Sequence, residues 1–176
     1  MSLRDPFRVT GPTCISFSGG RTSAYMLWRV LQSHGGVLPS DAVVCFANTG
    51  KEEEATLRFV RDCSERWSVP ITWVEYRNDE VGFAVVNFDT ASRDGEPFEA
   101  LIRKRNYLPN PVTRFCTSEL KIRTMHKFLR ANWRVMGWPD TDMELDQMIG
   151  IRATSRVESR KFLRAAAPPN RRRKRC

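Results

Sequence analysis

The run Ala42-Val43-Val44-Cys45-Phe46-Ala47 carries no polar residue at any position. A strand of that composition hides both faces, as central strands of parallel sheets do when helices cover the sheet. A half-wet antiparallel strand would alternate, and a membrane-spanning helix needs about 20 apolar residues. The run therefore asks for a layered fold with helices packed on a sheet.

The flanking sequence supplies those helices. Residues 22–34 place Ala24, Leu27, Trp28 and Leu31 at spacings of three and four, and Gly35-Gly36 gives the stop. Residues 51–67 direct Phe59, Val60, Cys63 and Trp67 inward, and residues 117–133 do the same with Ile122, Met125, Leu129 and Trp133. A short helix is expected over 97–105. Strand signals stand at 14–17, 71–74, 84–88 and 148–151, the third of them without an obvious partner. Alternating strands and helices of this length predict an α/β three-layer sandwich with a mostly parallel, open twisted sheet.

Charge separates the chain into parts. Residues 1–150 balance nineteen Lys and Arg against nineteen Asp and Glu, whereas residues 151–176 hold ten basic residues against Glu158 alone. The net charge of +9 thus belongs to the end of the chain and does not mark a basic face on the domain. The expected organisation is a lead over 1–12, a domain over 13–160 and a basic tail over 161–176. Five scattered cysteines without a Cys-x-x-Cys, and two histidines, give neither a disulfide framework nor a zinc site. No hydrophobic leader opens the chain, so a reducing, cytoplasmic setting and no membrane partner are expected.

Chemistry is expected in the loops at the carboxyl ends of the strands. Ser18-Gly19-Gly20-Arg21-Thr22-Ser23 follows the first strand and opens the first helix. Glycines let a backbone approach a ligand closely, and a helix start offers free N–H groups and about half a positive charge. Three hydroxyls and the Arg21 fork complete a cradle for phosphate or sulfate. The loop matches neither Gly-x-x-x-x-Gly-Lys-Ser/Thr nor Gly-x-Gly-x-x-Gly, which disfavours P-loop kinases and Rossmann dehydrogenases. Further on, Thr49 and Glu52 have the spacing of a helix capping box.

Four segments in order resemble the adenine nucleotide alpha hydrolases, the superfamily of PP-loop ATP pyrophosphatases and phosphoadenylylsulfate (PAPS) reductases. Ser18-Gly19-Gly20-x-x-Ser23 is similar to their pyrophosphate loop, and Asn48-Thr49-Gly50 to the Asp-Thr-Gly motif after the second strand. Arg114-Phe115-Cys116-Thr117 with Lys121, and Gly150-Ile151-Arg152 with Arg156 or Arg160 trailing, resemble the Arg-x-Cys-Thr…Lys and Gly-Ile-Arg segments. The likeness is to short PAPS-reductase-like proteins, many of them encoded by phages and prophages.

This resemblance implies an enzyme acting on the phosphate or sulfate end of ATP or PAPS, by sulfonucleotide reduction or by ATP pyrophosphatase-type adenylation. It implies that Ser18, Gly19, Gly20, Arg21, Thr22 and Ser23 hold the phosphates and that Asn48, Thr49 and Gly50 lie near base or ribose. Arg114, Lys121 and Arg152 would neutralise phosphate or leaving group, with Cys116 as a further catalytic candidate. A magnesium ion could accompany the nucleotide, although Asn48 and Arg21-Thr22 replace the usual carboxylates and no resident metal is expected.

The Glu-Cys-Gly-x-His segment of the reductases is absent, and Cys176 stands instead among Arg173, Lys174 and Arg175. The other expectation is a non-catalytic nucleotide-binding relative whose residues Arg171, Arg172, Arg173, Lys174 and Arg175 touch nucleic acid weakly.

Overall fold

In the computed structural model, residues 5–110, 115–138 and 146–150 are described. They form an α/β protein with a mixed five-stranded sheet and four α-helices. The order is β1 (Thr13–Ser16), α1 (Arg21–Ser33), β2 (Ala42–Asn48), α2 (Glu54–Trp67), β3 (Ile71–Tyr76), β4 (Phe83–Val86) and α3 (Glu96–Arg105), then α4 (Thr124–Asn132) and β5 (Asp146–Ile149). A π-helical stretch, Thr117–Arg123, runs directly into α4.

The sheet order is β4-β3-β2-β1-β5, parallel throughout except for β4. The strand signal without an obvious partner is this edge strand, with Trp73 opposite Val86. A parallel return needs a crossover of a dozen residues or more, and the turn through Gly82 is too short for one. The apolar run behaves as its composition demands. Val44 and Phe46 of β2 join α1 and α2 in one core cluster, while Cys45 and Ala47 join Met125, Phe128 and Leu129 of α4 in another.

Two inward assignments need correction. Trp28 is 41% exposed, because the buried stripe of α1 centres on Leu27 and Trp28 stands about 100° around the helix from it. Ile122 is likewise 41% exposed, with Leu120 buried in its place. The wider turn of the π-helical stretch slips the phase that a regular 3.6-residue repeat would have kept. Among the described residues, no helix is long and apolar enough to cross a membrane.

Candidate functional site

The strands step outward from β1 to β4, and the chain then returns to the far side of β1 for β5. The order therefore reverses at β1, and the crevice beyond its carboxyl end is where open α/β sheets take ligands. The Ser18–Ser23 loop lies there. Gly150, which follows β5, closes against it: a Cβ at this position would stand 3.0 Å from the Thr22 carbonyl oxygen and 3.1 Å from the Ser23 nitrogen. Two of the four sequence segments, 132 positions apart by number, thus share one wall.

Local chemistry fixes the shape of the loop. Gly19 has φ +71°, and a Cβ on it would sit 2.5 Å from Thr56 Cγ2 of α2, so only glycine lets the turn lie this close to the helix. The fully buried Ser23 is the organiser. Its hydroxyl accepts from the Ser18 amide and the Ser18 hydroxyl, each at 3.1 Å, and donates to the Gly20 carbonyl at 2.9 Å.

Helix α1 begins at Gly20 without a side-chain cap and without an acidic residue in its first turn. Its first internal bond runs from the Ala24 amide to the Gly20 carbonyl. The amides ahead of Ala24 have no carbonyl within the helix to meet, and those of Arg21 and Thr22 stand at its positive end. Arg21 is exposed beside them.

The loop after β2 is built differently. Asn48 is buried and its side chain is spent on the fold. Nδ2 donates to Glu75 Oε1 at 2.7 Å and to the Ser92 carbonyl at 2.9 Å, while Oδ1 accepts from the Gly50 amide at 3.1 Å. Glu75, wholly buried at the carboxyl end of β3, also accepts from the Ser92 amide at 2.7 Å, the Ser92 hydroxyl at 2.8 Å and Arg77 at 3.2 Å. Sequence reading missed this carboxylate. Its signal was a lone charge inside the strand Trp73-Val74-Glu75-Tyr76, where an ionised group must find partners.

The expected capping box does not form. Helix α2 starts at Glu54, and the Thr49 hydroxyl instead donates to Glu52 Oε1 at 3.1 Å. Gly50, at φ +75°, is wedged beside Pro97 and Gly95, which carries the loop away from the helix axis before α2 begins. Glu52 also pairs with Lys121 at 3.4 Å, which brings the π-helical stretch to the β2 loop. Thr49 and Lys121 thus meet on one carboxylate, Glu52.

Cys45 and Cys63, in the core, offer little nucleophilic character. Cys14 and Cys45 share a thiol–thiol hydrogen bond that, with burial, pushes Cys45 far above the ordinary thiol range; burial also raises Cys63. Cys116 is half-buried against Tyr76, Leu101, Phe115 and Leu120. Arg114, Arg152, Arg156, Arg160, Cys176 and the basic positions 171–175 lie outside the described residues. A separate hollow of about 470 Å³, lined by Arg61, Trp73, Val86 and Phe88, lies on the β3–β4 flank away from these loops.

Fold and loop together define an α/β protein with an uncapped, glycine-led helix start at the reversal of its sheet. An uncharacterized nin region protein of Escherichia phage lambda, ORF290, is 33% identical to the chain over 122 residues. That match takes in 65% of this chain and 41% of the phage protein, so the chain spans less than half of its relative. No protein-family profile matches the chain, and no solved structure matches it.

Proposed function

We propose that the chain binds an adenine nucleotide through its phosphate or sulfate end in the Ser18–Ser23 loop, and that it is an enzyme acting at that end. The observation that carries this reading is the uncapped start of α1, at the point where the strand order reverses, with Gly150 packed on it. A three-layer sandwich of the adenine nucleotide alpha hydrolase type is the matching architecture, with α1 and α2 on one face of the sheet and α4 on the other. The phage relative agrees with the phage-type resemblance of the motifs.

ATP pyrophosphatase-type chemistry is the better fit to the residues. An acceptor oxygen would attack the α-phosphorus, the bond to the bridging oxygen would break, and pyrophosphate would leave into the loop. The protein's part is positioning and charge neutralisation by loop amides, Arg21, Lys121 and the arginines 114 and 152. PAPS reduction needs a thiolate on sulfur; among the described cysteines Cys14, Cys45 and Cys63 are buried in the core, which leaves only the half-buried Cys116.

The carboxylates near the loop do not suit a resident magnesium ion. Glu52 is engaged by Thr49 and Lys121, and Glu75 is surrounded by donors. No step is therefore routed through a protein-held metal.

Arg21→Ala tests the reading. Its side chain is exposed, so melting should be unchanged. Losing a charge-assisted bond of about 1.5–3 kcal/mol should weaken ATP binding roughly ten- to a hundredfold. Titration calorimetry gives the affinity, and pyrophosphate release gives turnover. Wild-type affinity in the variant, or no release from ATP or PAPS by wild type, would contradict the proposal. Binding without release would select the non-catalytic alternative.

A further inference from the structure

Helix α1 contains no Asp or Glu, and its outer face carries a stripe that, Arg21 apart, the nucleotide site does not use. Arg21, Tyr25, Trp28, Arg29 and Gln32 recur at helical spacing on that face. Tyr25 is 55% and Trp28 41% exposed, unusual for large rings, and the two are stacked at 5.9 Å with planes 30° apart. The Arg29 guanidinium stands 4.4 Å from the centre of the Phe7 ring and donates to the Tyr25 hydroxyl at 3.1 Å. Among the described residues Arg29 makes no ion pair. The nearby acid, Asp5, is hydrogen-bonded by Ser33 and the Phe7 amide, and the Arg29 charge helps hold it below the usual carboxylate range.

We propose that this face is a binding site for single-stranded nucleic acid, with bases stacking on Tyr25 and Trp28 and phosphates meeting Arg21 and Arg29. Flat rings interleaved with guanidinium groups that form no salt bridge among the described residues suit a base-and-phosphate polymer, because every base offers a π face and every linkage a negative charge. From Arg21 to Trp28 the helix rises about 10 Å, the length of roughly three stacked nucleotides. Charge complementarity selects this occupant over two others. Residues 151–176, with ten basic residues and one acid, have the sign of the stripe, and so does a second copy of α1.

The test measures fluorescence anisotropy of labelled oligothymidine, oligouridine and a short duplex at low salt with the full chain. Wild type should prefer the single strands, and the preferred sugar names the source as DNA or RNA. The exposed pair Tyr25→Ala and Trp28→Ala, made together, should weaken single-strand binding about tenfold or more, since stacking contributes roughly 1–3 kcal/mol per base. If that variant melts early, Trp28→Phe should retain binding that Trp28→Leu loses. A chain shortened by residues 170–176 should keep the preference for single strands.

Equal binding of duplex, wild-type affinity in the double variant, loss confined to the shortened chain, or no binding to any probe would each overturn the site. Capture of an acidic protein through this face, with no nucleic acid bound, would overturn it as well.

Discussion

Replacing Glu75 with alanine should lower the folding free energy by about 3–5 kcal/mol, the usual cost of removing one partner from a buried ionic network. The side chain is wholly buried and accepts from Asn48, from both donors of Ser92 and from Arg77. Alanine leaves the Asn48 amide and the Ser92 groups facing a void, and each unsatisfied donor costs about 1–3 kcal/mol. Arg77 is 39% exposed and water would partly compensate it, so the loss is argued from the buried donors.

Glu75→Gln keeps an acceptor for Asn48 but offers an amide where donors already point, and should cost roughly half as much. Urea midpoints of the three proteins decide the matter. A Glu75→Ala protein within about 1 kcal/mol of wild type would mean the network does not hold the β2 loop.

The second large effect is expected at Gly19. Alanine there must accept φ +71° and put its methyl 2.5 Å from Thr56 Cγ2. The left-handed backbone costs about 1–2 kcal/mol and the overpacking about 1–3 kcal/mol, so a loss of about 2–5 kcal/mol is predicted, together with nucleotide binding. Thr56→Ser removes only the offending methyl. Added to Gly19→Ala, it should recover the steric part of the stability and leave the conformational part. A double-mutant cycle by denaturant unfolding separates the two, and strict additivity would show that the contact does not exist.

The sequence made much of this legible because its strongest signals were local. Apolar patterning located the strands and helices, and the six-residue run in β2 announced a covered central strand before any partner was known. The Ser18–Ser23 turn could be read as an anion cradle because two glycines and a helix start are adjacent in the chain.

What stayed hidden depended on contacts between distant segments. Nothing in Asn48-Thr49-Gly50 discloses that Asn48 turns inward to Glu75, 27 positions away. Nor does the sequence show that Glu52 meets Lys121 across 69 positions. The phase slip that exposes Ile122 comes from π-helical winding, which a regular repeat cannot anticipate. Trp28 was misplaced by hydrophobicity alone: the ring is apolar, but its angle on α1 points it outward.

The central claim is that the amides opening α1 receive an anionic nucleotide end. Amide ¹H–¹⁵N spectra of the labelled protein, titrated with ATP and separately with pyrophosphate, address it directly. Both ligands should move the resonances of Gly19, Gly20, Arg21 and Thr22 along a saturable course, with ATP adding shifts near Thr49 and Gly50. Saturable shifts elsewhere with those four amides still, or spectra that do not change, would contradict the account.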